Sequence, residues 1–197
     1  MRSLLMLVLH LALGVCGVGA TPLLSDMAAA IEGLGRYEVR FIISMGGAAA
    51  AVDGYYLVDG DRFFLSIADQ QIFGDGAERC SVNHNLREVV LERLPDDESQ
   101  SLVVVNPVAA FTELAQEFEA VVEAADGETT TLLLTPKTSD GIVDRSLLEI
   151  DNTTHLPRSI SYEAEGDEIS LVILSILPTE ENVDMIYPAD YEVIDIR

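Results

Sequence analysis

The chain has 197 residues, 49% hydrophobic and 23% charged, the balance of a folded domain with a real core rather than of a disordered chain. Asp and Glu number 34 against 11 Lys and Arg, Lys137 is the only lysine, and the formal net charge is −23. That balance argues against nucleic acid, whose binding rests on neutralising phosphates, and against docking on an anionic lipid surface.

The first twenty residues, MRSLLMLVLHLALGVCGVGA, form a separate object. Arg2 supplies a basic start, Leu4 to Val15 an apolar run, and Val18-Gly19-Ala20 a small-x-small cleavage pattern. This reads as a secretory signal peptide over residues 1–20. The run is too short and too interrupted for a comfortable membrane span. Leu13-Gly14-Val15-Cys16 offers the alternative of lipidation at Cys16, but Val15 stands where a lipobox has Gly, Ala or Ser. Cleavage after Ala20 is favoured, leaving residues 21–197 as one exported, soluble domain.

Cleavage leaves one cysteine, Cys80, with His84 and His155. No intramolecular disulfide is then possible, and no zinc-ligand spacing is present. The stretch AERCSVNHN lies between a turn signal and an alternating run, so it reads as strand. At about 3.3 Å per residue, Cys80 and His84 then lie roughly 13 Å apart and make no site.

Residues 22–35 carry Met27, Ala28, Ile31 and Leu34 at helical spacing. Ser25 or Asp26 caps the start of this first helix, and Gly33 and Gly35 mark its stop. From Tyr37 the period becomes two, and YEVRFIISM reads as a half-buried strand. A loose connection, GGAAAAVDG, follows, then two strands about Asp59-Gly60-Asp61, the AERCSVN strand after Asp75-Gly76, and REVVLERL. Asn106-Pro107 opens a second amphipathic helix, NPVAAFTELAQEFEA, with Val108, Phe111, Leu114, Ala115 and Phe118 on one face. Strands then resume through AVVEAA, ETTTLLLTPK, IVDRSLLEID, LPRSISYEAE and EISLVILSIL, and VDMIYPADYEVIDIR is extended against an edge. No fixed-period repeat, low-complexity segment or linker interrupts them. So many strands with so few helices predict a large curved sheet whose apolar face holds a cavity or open groove.

The ordered set of turns resembles one family. GYYLVDGDRFFL, IFGDGAER, REVVL, NPVAAF, LLLTPK and LLEIDNTTHLP follow one another as in divergent members of the LolA family of periplasmic outer-membrane lipoprotein carriers. The resemblance covers residues 26 to 178. It implies a mainly β fold with a few α-helices: an open, incomplete antiparallel β-barrel whose helices lid a concave apolar face. It also implies a monomeric periplasmic chaperone that binds acylated lipoproteins. Such a carrier takes them from an inner-membrane ABC transporter and hands them to an outer-membrane acceptor, with no cofactor. Each methylene withdrawn from water is worth about 0.8 kcal/mol, so acyl chains cross an aqueous space only when shielded.

On that resemblance, alternation nominates Val39, Phe41 and Ile43 on the first strand and Tyr56, Val58 and Phe64 across the next hairpin as acyl-binding residues. Val89 and Leu91 follow on REVVLERL, and Phe111, Leu114 and Phe118 form the closing helix face. Each is equally well a core residue or a cavity wall. One departure stands out: Gly60 falls where the better-characterised members have a latch arginine, and Arg62, two residues on, is the nearest substitute. An enzyme is not expected, since the acidic residues, as in Asp96-Asp97-Glu98, sit in polar loops without a nucleophile and base. Asn152-Thr153-Thr154 matches a glycosylation sequon but reads as a turn. A lipid or lipoprotein sensor, or a membrane-anchored acceptor, on the same scaffold are the other readings.

Overall fold

The computed structural model describes residues 20–46, 51–93, 114–137, 143–164 and 167–197. Residues 1–19, which fall in the expected signal peptide, lie outside them, as do Asp96-Asp97-Glu98, Asn106-Pro107 and Phe111. The first element is α1 (Ala20–Glu32). It starts earlier than Ser25 or Asp26 would allow as caps, and the Ser25 hydroxyl instead donates back to the Thr21 carbonyl within the helix. The stop is where Gly33 and Gly35 place it, with the Gly33 amide still bonded to the Ala29 carbonyl.

Strands follow in chain order: β1 (Tyr37–Met45), β2 (Val52–Asp59), β3 (Arg62–Ile67), β4 (Gln70–Gly74), β5 (Glu78–Asn83) and β6 (Glu88–Arg93). Then come β7 (Phe118–Ala125), β8 (Thr129–Pro136), β9 (Val143–Asp151), β10 (Pro157–Ala164), β11 (Asp167–Pro178) and β12 (Glu192–Asp195). They make one curved, unclosed sheet in the order β12-β6-β5-β4-β3-β2-β1-β11-β10-β9-β8-β7. Every pairing is antiparallel except that of β12, which lies parallel to β6. Strand β4 is one the turn signals do not announce, because its hairpin with β3 turns at Ala68, in the left-handed region at φ 48.

The second predicted helix is shorter at its end than the periodicity suggests. Residues 114–117 are helical, but Phe118 begins β7. Cross-strand pairing decides this, since Phe118 registers with Pro136 and Ala120 with Leu134. Strand β11 carries an extra residue, Leu174, between the partners of Arg40 and Phe41 on β1, the kind of bulge that sharpens local bend and twist.

Two apolar clusters result, on opposite faces. The concave face gathers Val39, Phe41, Tyr56, Val58, Phe63 and Leu65 with Leu132, Leu134, Leu148 and Ile150, and α1 adds Leu24, Met27 and Ile31. Among the strands, α1 lies closest to β7, the far edge of the sheet. The outer face of β4–β6 gathers Phe73, Cys80, Val82, Val89 and Leu91, with Phe64, Tyr187 and Tyr191 packed against it. The segment after β11 runs back over this second cluster as a strap before ending in β12.

Candidate functional site

The concave face is built by register. Val39 sits opposite Tyr56 and Tyr37 opposite Val58 across β1 and β2, while Tyr56 faces Leu65 and Val58 faces Phe63 across β2 and β3. On the other side of β1, Val39 pairs with Ile176, Phe41 with Ile173 and Ile43 with Leu171. Leu171 meets Ile160, which meets Leu148, which meets Leu132. Period-two alternation therefore carries one continuous hydrocarbon surface across seven strands, from β3 to β8.

Two glycines admit aromatic rings to that surface. A Cβ on Gly54 would lie 2.2 Å from the Phe41 ring, and one on Gly74 2.2 Å from the Phe63 ring. Both are direct cross-strand pairs, so each ring lies flat over the backbone of its neighbour. This is the packing device that an aromatic opposite a strand glycine supplies. The Tyr56 ring stacks on Phe63 with centroids 5.8 Å apart.

Most of the nominated residues meet here. Val39, Phe41, Tyr56, Val58 and Leu114 are buried in the concave cluster, and Ile43 and Phe118 pack partly buried against it. Phe118 does so from a strand rather than from the helix. Phe64, Val89 and Leu91 do not join them. Phe64 pairs with Phe73, Phe73 with Cys80 and Cys80 with Leu91, all on the outer face. Phe63 occupies the concave position instead. Adjacent phenylalanines leave the parity of β3 undetermined in the sequence, and Gly74 opposite Phe63 is the signal that distinguishes them. The helix α1 is the other contributor that alternation on strands could not nominate.

The polar groups of the concave face are few. Tyr56 is wholly buried, and among the described residues its hydroxyl has no hydrogen-bond partner. Burial pushes its phenol well above the ordinary value, and the neighbouring Tyr37 phenol adds to the effect. Burial raises Tyr37 itself to about 12. Among the described residues, Ser146 opposite Leu134 is the buried polar side chain that joins these tyrosines.

The outer cluster is stitched under the strap by polar contacts. Arg36 donates to the Glu180 carbonyl and to Asn182 Oδ1, both at 3.1 Å, and pairs with Asp59 at 3.0 Å. Tyr55 donates to Glu181 at 3.2 Å, and Arg62 donates to the Val183 carbonyl beside Asp184. His84 Nδ1 and the Tyr191 hydroxyl are 3.0 Å apart, Arg87 pairs with Asp190, and Arg197 reaches Glu78 at 2.8 Å. Arg62 thus points away from the concave face and ties down the strap, while Gly60 takes the turn at φ +61. A latch arginine reaching into the groove is not found at either position.

Cys80 and His84 do not form a site. Cys80 is fully buried between Phe73 and Leu91, and burial raises its thiol pKa against the weaker opposing effect of Arg197. The His84 ring is engaged with Tyr191. Among the described residues no group of three or more His, Cys, Asp or Glu is arranged to hold a metal ion. None of the described helices is long and apolar enough to cross a membrane.

No family model and no curated protein matches the chain. Solved structures do. A conserved protein from Thermus thermophilus, described as uncharacterized, superposes with a TM-score of 0.59 at 12% identity, over 86% of this chain and 97% of that one. A chain of the MucA/MucB complex from Pseudomonas aeruginosa gives 0.50 at 17% identity, over 88% of this chain and 62% of that one. A LolA superfamily protein from Nitrosomonas europaea gives 0.45 at 13% identity, over 84% and 96%. At these identities the likeness is one of fold alone, and the first two superpositions are the ones that carry it.

Proposed function

We propose that the protein is an exported, non-enzymatic carrier that shields the acyl chains of lipoproteins on its concave face while they cross the periplasm. The observation that carries this reading is a difference in how the two apolar faces are covered. The outer cluster is closed by a strap tied through Arg36, Tyr55, Arg62, His84, Arg87 and Arg197. The concave cluster is covered by α1 together with Leu114 and Ala115 of the helical residues 114–117, and among the described residues no α1 side chain forms a hydrogen bond or ion pair with the sheet. Leu24, Met27 and Ile31 hold it by apolar contact alone. Such contact is non-directional and scales with area. An acyl chain entering beneath α1 replaces it in kind, whereas lifting the strap would strand charges.

The acidic surface supports the same reading. With a net charge of −23 the protein is repelled by anionic headgroups and stays in the aqueous space between its partners. Loading from an inner-membrane transporter and discharge to an outer-membrane acceptor complete the proposed cycle.

The test is native mass spectrometry of the protein recovered from a Gram-negative periplasm in which a triacylated lipoprotein is co-expressed. A soluble chain beginning at Thr21 and carrying acylated cargo that is lost on denaturation is the expected result. An empty chain that also fails to extract lipoprotein from spheroplasts overturns the carrier reading, and a membrane-bound chain beginning at lipidated Cys16 turns it to an anchored acceptor.

A regulatory binding protein on the same scaffold is the second reading. The likeness to a chain of the MucA/MucB complex, a structure of two proteins bound together, is what favours it. Cargo retained when an acceptor membrane is supplied would select this reading, and cargo handed on would select the carrier.

A further inference from the structure

The Tyr56 hydroxyl stands out on a surface that is mostly hydrocarbon. The ring packs as a phenylalanine would, stacked on Phe63 and flanked by Val39 and Leu65, yet the oxygen is buried with no partner among the described residues. A buried hydroxyl left unpaired costs about 1–3 kcal/mol, and such groups call for an explanation in a folded protein. The titratable group that bears on this hydroxyl is the neighbouring Tyr37 phenol, itself buried.

We propose that Tyr56 is the polar anchor of the groove, donating its hydroxyl proton to a carbonyl oxygen of the ester or amide that joins acyl chains to their headgroup. This rests on the carrier reading and deepens it. Acyl chains offer only methylenes and a terminal methyl, which any apolar wall accepts. The strong acceptors nearest the chains are the linkage carbonyls, and they mark an acylated anchor off from free hydrocarbon. The phenol suits the task, because burial keeps it protonated, and so a donor, throughout the physiological pH range. Tyr56 lies in the middle of β2 rather than at its end. The anchor therefore fixes the linkage within the face and leaves the chains to spread over the aliphatic surface of its neighbouring strands.

The test compares dipalmitoylglycerol, which has two ester carbonyls, with dihexadecylglycerol, its ether analogue, by competition for the full mature chain and for its Tyr56→Phe variant. One net hydrogen bond corresponds to a preference of about two- to tenfold, so the wild type should favour the ester by that factor. Tyr56→Phe should abolish the preference while leaving ether affinity equal or higher, and its empty form should melt no lower than the wild type. The ester carbonyl stretch of bound lipid should move to lower wavenumber in the wild type and not in the variant, a change that altered packing alone does not produce. Equal wild-type affinity for both lipids, or a preference that survives Tyr56→Phe, overturns the anchor and leaves the carrier standing. Binding of neither lipid by the wild type sinks both.

Discussion

The two apolar clusters lie on opposite faces of one sheet and are finished in different ways. On the outer face, Phe73, Cys80, Val82, Val89 and Leu91 are small in number and closed by a strap whose backbone and side chains are bonded at intervals from Glu180 to Arg197. On the concave face, a far wider set of aliphatic and aromatic side chains is met by Leu114 and by α1, which among the described residues touches the cluster through apolar side chains. A cover fastened by directional bonds resists sliding and resists ligand entry, since each broken bond must be replaced. A cover held by hydrophobic contact is replaceable by any comparable hydrocarbon. The same sheet therefore carries one face closed by directional bonds and one that α1 covers by apolar contact, and the proposed function assigns exchange to the second.

The comparison breaks most sharply if the concave face proves dispensable. Leu148→Ala removes a side chain at the centre of that face, fully buried between Leu132 and Ile160, and should cost about 2–5 kcal/mol of unfolding free energy in urea titration. A loss below about 1 kcal/mol would mean that the face is already loosely packed. Next in size, Gly74→Val drives a side chain into the space of the Phe63 ring. It should cost about 1–3 kcal/mol by overpacking, visible as a lowered melting temperature, with the outer cluster's Cys80 still protected from thiol reagents.

Arg62→Ala sharpens the contrast from the other side. It frees the Val183 carbonyl and Asp184 from the sheet, and should cost about 1 kcal/mol. Amide exchange across residues 183–191 should accelerate while lipid affinity stays unchanged. A drop in lipid affinity would make the strap part of the binding site.

The smallest effect is at acid pH. Asp195 is held down to about 2 by its hydrogen bonds with Arg197, and Asp151 is held down by the Thr154 amide first and then by Arg158. Both folded values are depressed, so their stabilisation is present above the unfolded carboxylate value of about 3.9 and is lost as pH falls from there through the folded values. Between about pH 4 and pH 2 the β12 end of the strap should fray first by NMR, with concave-face resonances unmoved. Simultaneous loss of both faces would show that the strap and the groove are one cooperative unit.

Much of this was legible from residues alone. The switch from a 3.6 to a 2 period at Tyr37 marked the start of the sheet, and the Asp-Gly turns at 59–60 and 75–76 set the hairpins around β2, β3 and β5. Those signals are local, so a local reading finds them. Strand β4 escaped because Ala68 takes a left-handed conformation that its side chain does not advertise. Phe118 was read as helix because the 3.6-residue spacing of NPVAAFTELAQEFEA runs on into residues that pair with β8.

The sequence by itself determined that the chain is an acidic, mainly β protein with a short leading helix and an apolar side to most strands. Alternation establishes that Tyr56 and Val58 share a side and that Val89 and Leu91 share one. It is blind to whether those two sides are the same, because a period of two carries no information across a turn. The tertiary structure decided that. The register through Phe63 and Gly74 placed Tyr56 on the concave face, and the chain Phe64, Phe73, Cys80, Leu91 placed the other set on the outer one. What covers each face was decided in the same way, because a cover is a contact between segments far apart in the chain.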